Sequence, residues 1–164
     1  MNKLSLLLVG PRYSHSLGEI VRTSIAAGVV ERTYIEDSRK IFQDDHENQI
    51  QRFSAGYSDF REIVLIKDSL EFLDVNKGIY RRIATVIGPA AENLFEFKYM
   101  ENDLLVLGEE RKGLDDKVIA ACDTTLTIPQ VVNKYKCYTL CSAVAMFLYE
   151  KMRQAYEGIP HSMQ

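Results

Sequence analysis

Leu104-Leu105-Val106-Leu107-Gly108-Glu109-Glu110-Arg111-Lys112-Gly113-Leu114 joins an unbroken apolar run to a charged turn bracketed by two glycines. Consecutive apolar residues stopped by a glycine read as a strand buried on both faces, as in parallel sheets covered by helices. Gly108 and Gly113 allow close backbone approach to a ligand. They also hold Glu110 beyond the strand's carboxyl end, where open α/β sheets carry their sites. The same residues fit an ordinary strand-to-helix turn with solvated charges, so the choice falls to the rest of the chain.

Further apolar runs lie at Leu4–Val9, Thr33–Ile35, Ile63–Ile66, Ile83–Ile87 and Thr124–Ile128. Helix-period segments between several of them predict an α/β fold, a mostly parallel sheet flanked by helices. Ser16 followed by Glu19 forms a capping box ahead of the stripe Leu17, Ile20, Val21 and Ile25. Arg22 falls on the flank of that stripe, either facing a cleft or snorkelling to solvent. A final helix from about Thr139 to Ala155 carries the stripe Leu140, Val144, Leu148 and Met152. Its Cys141, Ala145, Met146 and Tyr149 make a second apolar face. One face is expected on the sheet and the other on a second subunit, predicting a homodimer. The polar stretch Asp37–Phe60 reads as a surface insertion anchored by Ile41, Phe42 and Phe53.

At 164 residues and 46% apolar composition the chain fits one domain, residues 1–164, with a core large enough to need no metal or disulfide. A net charge of −3 excludes a protein that coats nucleic acid nonspecifically. Basic residues in predicted loops (Arg12, Arg39 with Lys40, Arg52, Arg111 with Lys112, Lys134 with Lys136) would matter only by converging on one face. Cys122, Cys137 and Cys141 form no CxxC pair and read as buried free thiols. His15, His46 and His161 lack ligand spacing, so no metal is expected. No run approaches the ~20 apolar residues of a membrane span, and Met1–Gly10 reads as a strand rather than a leader. A soluble cytoplasmic protein is the expectation. The chain has no P-loop ending after Gly10 and no GxGxxG run, and no acidic residues follow the first strand as a receiver domain would require.

Three separated segments together resemble the SpoU-type family of RNA ribose 2'-O-methyltransferases in the SPOUT superfamily. The family's first motif, Asn-x-Gly followed by apolar residues and Arg-Thr, is similar to Ser16-Leu17-Gly18-Glu19-Ile20-Val21-Arg22-Thr23. Its Gly-x-Glu-x-x-Gly matches Gly108 to Gly113 at every fixed position. The third motif opens on Ile128-Pro129 and continues through Cys137-Tyr138-Thr139 into a helix carrying Leu148-Tyr149-Glu150. Arg52-Phe53-Ser54-Ala55-Gly56 resembles a loop the family carries between the first two motifs. Ser16 stands where the family has Asn, and Cys137 and Thr139 where it has Ser and Asn. A hydroxyl cannot reproduce an amide's paired donor and acceptor.

The resemblance implies a C-terminal trefoil knot, an exception to the rule that chains avoid knots. It implies S-adenosylmethionine as cofactor, held at Thr85, Gly88, Leu107, Gly108, Gly113, Ile128, Pro129, Cys137, Thr139 and Leu140. It implies methyl transfer to a ribose 2'-hydroxyl of RNA, transfer RNA before ribosomal RNA. Arg22 would stabilise the attacking hydroxyl, Glu110 would orient Arg22 or the loop, and Ser16 would complete the catalytic set. Arg12, Arg52 and Lys112 would contact RNA phosphates. Two readings stand beside this one: a catalytically weakened dimeric RNA-binding or scaffold protein of the same fold, and an unrelated flavodoxin-like small-molecule protein.

Overall fold

The computed structural model describes residues 2–42, 44, 48–56, 63–130 and 137–157. The predicted His46, His161, Lys134 and Lys136 lie outside the described residues.

The strands are β1 (Leu4–Val9), β2 (Val30–Glu36), β3 (Ile63–Ile66), β4 (Arg81–Thr85), β5 (Glu92–Asn93), β6 (Asp103–Leu107) and β7 (Thr124–Thr127). Helices α1 (Ser14–Ala27), α2 (Gln49–Phe53), α3 (Ser69–Val75), α4 (Asp116–Ala120) and α5 (Leu140–Glu157) alternate with them. The strands form one sheet in the order β3-β2-β1-β6-β4-β7-β5, and every pairing is parallel. The two all-apolar runs meet at its centre, with Leu6 opposite Leu105 and Leu8 opposite Leu107. Successive side chains point to opposite faces. Leu6, Leu8, Leu105 and Leu107 therefore pack with Leu17 and Ile20 of α1 and with Val144, Phe147 and Leu148 of α5. Leu7, Leu104 and Val106 pack on the other side with Leu73 and Val118. Burying both faces explains why these strands read as continuous apolar runs rather than alternating ones.

From β1 the chain proceeds outward to β2 and β3, then returns past β1 to β4, and β6 is inserted between β1 and β4. The seam between β1 and β6 is the place where the direction of winding reverses, and such seams open a crevice at the strands' carboxyl ends.

Several sequence expectations change. α1 opens at Ser14, and its cap residue, Tyr13, makes no side-chain cap bond. The chain ahead of it is fixed from outside: Arg12 N–H donates to Glu110 Oε2 at 2.9 Å and Ser14 Oγ–H to the Ile41 carbonyl at 3.4 Å. No Ser16 capping box forms, and Ser16 lies buried in the helix's first turn. Ser24, not Ile25, continues the buried stripe. In α5 the stripe runs Leu140, Val144, Phe147, Leu148 and Lys151, while Met152 is exposed. Tyr99 draws Lys151 inward, with Nζ 5.5 Å from the ring centroid. In the Asp37–Phe60 stretch Ile41 and Phe42 do pack on the core, the fully buried anchor is Ile50, and Phe53 is 44% exposed with its ring 5.7 Å from that of His15. β4 begins and ends two residues earlier than its apolar run, because Arg81 and Arg82 are held by carboxylates. Arg81 makes a two-pronged pair with the buried Asp103, at 2.7 and 2.8 Å. Arg82 does the same with Asp123.

Arg82 holds the Asp123 carboxyl below its ordinary 3.8. Arg153, on α5, holds Glu150 below 4.5. Carboxyls depressed by folding contribute stability that is present above their ordinary range and lost as pH falls through the folded values. The urea midpoint should therefore be level near neutrality and decline as the pH drops below these carboxyls' ordinary values. Asp123→Asn should make that decline shallower, and an unchanged acid limb would show that this pair does not contribute.

Candidate active site

The Gly108–Gly113 loop closes on itself. Gly113 N–H donates to the Glu109 carbonyl at 3.0 Å, and Lys112 N–H donates to Glu109 Oε1 at 3.1 Å. A Cβ on Gly108 would stand 2.0 Å from the Gly113 carbonyl carbon and 2.3 Å from Leu114 N. Only glycine permits that crossing. Gly113 itself adopts φ +73, the left-handed region.

The loop forms one wall of a cleft of about 380 Å³ at the carboxyl ends of β4, β6 and β7. That size suits a small molecule. Of the residues assigned to a cofactor, Thr85, Leu107, Gly108, Gly113, Ile128, Cys137 and Leu140 line it. Gly88, Pro129 and Thr139 stand outside its walls. β4 ends at Thr85, so Gly88 is already beyond the rim. Ile128 and Gln130 on either side of Pro129 form the wall there. Thr139 is used by α5: its Oγ1 accepts Ser142 N–H at 3.3 Å and donates to Ser142 Oγ at 2.9 Å. This is an N-cap in the usual position.

Glu110 lines the cleft, and its Oε1 is buried with no hydrogen-bond partner among the described residues. The other oxygen accepts Arg12 N–H, and no hydrogen bond joins Glu110 to Arg22 among the described residues. Arg22 is exposed on α1 and does not line the cleft. Because α1 starts three residues early, Arg22 lies ~12 Å along it from its first residue. Ser16 is enclosed against α5, its carbonyl 3.5 Å from Cys141 Sγ. Burial pushes the Cys141 thiol up to about 12 and that of Cys122 up to about 11, so both stay protonated near neutrality. Cys137, expected to be buried, is exposed on the cleft wall.

Arg52 is exposed on α2, which crosses α1 so closely that a Cβ on Gly18 would lie 2.6 Å from the Ile50 carbonyl. Lys112 is exposed and lines the cleft. Arg12 is half-buried and paired with Glu109 at 2.8 Å. Glu109 also holds Arg39 at 2.6 Å. Arg12 above all, with Arg39 adding to it, holds the Glu109 carboxyl below the ordinary range. Glu109 was not singled out from the sequence, and neither were Tyr138 and Phe147, which also line the cleft. Phe147 could have been found from the continuous apolar surface of the last helix.

The sequence model of the SpoU rRNA methylase family matches residues 3–149. The chain belongs to this family. A relative from Methanocaldococcus jannaschii, the tRNA (cytidine-2'-O-)-methyltransferase TrmJ, is 28% identical over 158 residues, covering 90% of this chain. The SpoU-family chain spans 66% of that relative's length. A solved structure described as giving insight into 2-OH methylation of C/U34 on tRNA superposes with a TM-score of 0.81 at 25% identity. That likeness covers 95% of this chain and 92% of the other. The SpoU methyltransferase AviRb from Streptomyces viridochromogenes, solved with AdoMet, shares the fold with a TM-score of 0.79 at 22% identity, covering 96% of this chain and 60% of its own.

Proposed function

We propose that this SpoU-family chain transfers the methyl group of S-adenosylmethionine to a ribose 2'-hydroxyl of RNA, with transfer RNA as the preferred class. The observation that carries the reading is the cleft built around the self-closing Gly108–Gly113 loop, with Glu110 Oε1 in its wall lacking a partner among the described residues. A buried carboxylate oxygen without a donor is costly unless a ligand supplies one. The cofactor fits these residues: it is cationic and carries N–H and O–H donors, and the walls add the apolar Leu107, Ile128, Leu140 and Phe147. When bound, the cofactor supplies a methyl carbon activated by its positive sulfonium.

Backbone groups of Gly108–Gly113 and of Ile128 would hold the adenosine, which is why the glycines are fixed while Cys137 can replace a serine. Glu110 Oε1 would accept a hydrogen bond inside the cleft, and Oε2 would keep α1 docked through Arg12 N–H. Arg22 is too basic to remove a proton easily. Its guanidinium, without a partner among the described residues, would instead grip the ribose or its phosphate and stabilise developing negative charge on the hydroxyl oxygen. Ser16 would keep α1 seated on α5 beneath that group.

Met146, Tyr149, Met152 and Tyr156 leave the outer face of α5 exposed and apolar. In this reading that face packs on a second copy, giving a homodimer that sets each α1 beside the partner's α5. A C-terminal trefoil knot belongs to this reading, in keeping with the insertion of β6 between β1 and β4. No helix among the described residues is long and apolar enough to cross a membrane, and a cytoplasmic RNA-modifying enzyme is the corresponding setting.

Cofactor occupancy is tested without turnover by alkylation. Exposed Cys137 should react with iodoacetamide well before Cys122 and Cys141, and S-adenosylmethionine should protect it at least tenfold. Undiminished labelling of Cys137 at saturating cofactor would place the ligand elsewhere. The engagement of Thr139 in capping and the burial of Ser16 favour one second reading, a dimeric RNA-binding or scaffold module that has lost transfer. Calorimetric binding of the cofactor with no methyl transfer to bulk RNA would select it.

A further inference from the structure

Arginines from two separate loops meet on one carboxylate oxygen at the rim of the cleft. Arg12, between β1 and α1, donates from Nη1 to Glu109 Oε2 at 2.8 Å. Arg39, in the turn after β2, donates from Nη2 to the same oxygen at 2.6 Å. The turn that carries Arg39 is itself fixed. Its Nη1 donates to the Gly10 carbonyl, and the Asp37 carboxylate accepts Ile41 N–H at 2.8 Å and Phe42 N–H at 3.0 Å. Glu109 is fixed too, since its Oε1 accepts Lys112 N–H.

Glu109 balances one of the two guanidinium charges, and the Glu110 carboxylate that accepts Arg12 N–H lies beside the pair, with the Lys112 cation on the same loop. The two arginine side chains keep 27% and 38% of their surface exposed, so donors remain for a ligand. Two guanidiniums on one oxygen stand close enough for both to reach a single tetrahedral anion, and arginine's fork suits phosphate oxygens. Glu109 lies in the loop that walls the cleft, so an anion held here would sit next to whatever enters it. We propose that Arg12 and Arg39, held side by side by Glu109, form a clamp for one backbone phosphate of the substrate RNA, with Glu109 as the positioning residue. The proposal rests on the RNA reading above. It adds a residue pair that fixes the strand's register without reading its sequence.

The alternative for the same contacts is a structural staple between loops, and salt dependence separates the two. Fluorescence anisotropy with labelled bulk transfer RNA, run over a salt series on the full chain, gives the slope of log affinity against log salt. Arg39→Gln should reduce the steepness of that slope by about 1 and weaken binding about tenfold at fixed salt. Cofactor affinity and thermal midpoint should remain those of the wild type. Arg39→Lys should restore the slope in large part, because the charge returns. Glu109→Gln, which frees both arginines without removing either charge and leaves an amide oxygen for Lys112 N–H, should raise KM for RNA by more than it lowers kcat, with the slope undiminished. Arg12→Gln provides an independent copy of the Arg39 test. An unchanged slope in both arginine variants, with a lowered thermal midpoint, would make the cluster a staple and overturn the clamp. Absence of salt-dependent affinity in the wild-type protein would instead overturn the RNA reading on which the clamp depends.

Discussion

Gly108→Ala should lose cofactor binding by about 100-fold and cost about 1–3 kcal/mol of stability. The methyl group would stand 2.0 Å from the Gly113 carbonyl carbon, 2.3 Å from its oxygen and 2.3 Å from Leu114 N. All three are main-chain atoms, so no side chain can swing aside. To restore van der Waals distance the Gly113 backbone must move by more than an ångström. That motion breaks the hydrogen bonds of Gly113 and Lys112 to Glu109 and deforms the wall formed by Leu107 to Leu114. Gly78→Ala supplies the control. Gly78 has φ +85 and open space around its Cβ position, so alanine there carries only the left-handed penalty of about 1–2 kcal/mol, and the cleft is untouched. Calorimetric titration with S-adenosylmethionine and urea denaturation of both variants give the comparison. Equal cofactor affinity in the two would show that the loop's closure does not shape the site.

Arg22→Ala separates transfer from binding. Arg22 is exposed, makes no hydrogen bond or ion pair among the described residues and stands outside the walls of its own cleft. Removing it should leave cofactor affinity within about twofold and stability within about 0.5 kcal/mol. If its guanidinium stabilises negative charge on the ribose oxygen, the loss should lower kcat about 100- to 1,000-fold, as when a preorganised donor is deleted. Single-turnover methylation with tritiated cofactor measures the first quantity and calorimetry the second. Full activity in the variant would remove Arg22 from the mechanism, and matched losses of activity and cofactor affinity would assign it a binding role instead.

The central strands were legible in the sequence because burial on both faces makes them strongly apolar: β1 falls where its run predicts, and β6 differs only by the addition of Asp103. The edge strand β3 also falls on its run, although Val64 and Leu65 are exposed. Two other strands were less legible. β4 is set by Arg81 and Arg82 gripping Asp103 and Asp123, partners 22 and 41 residues away, which no local pattern reveals. β5 spans only Glu92–Asn93 and has no periodicity to detect. The start of α1 was misplaced because the capping box is a local signal, whereas Glu110 fixes the chain ahead of the helix from 98 residues away.

The candidate site divides along the same line. Its glycines and apolar walls could be read from the order of motifs, since steric requirements are written locally. The cluster of Glu109 with Arg12 and Arg39 could not, because it joins three loops across 97 and 70 residues. Thr139 has a local role that its motif did not indicate. Its place in a motif suggested a ligand, but its position one residue before α5 makes its hydroxyl a cap for that helix.

The most direct test of the whole account is incubation of the wild-type protein with bulk transfer RNA and S-adenosylmethionine deuterated in its methyl group, followed by nuclease digestion and mass spectrometry of the nucleosides. Label should appear as 2'-O-methyl nucleosides and should vanish with Gly108→Ala and with Arg22→Ala. Label on a base instead of the ribose, or no label from a protein that demonstrably binds the cofactor, would contradict it.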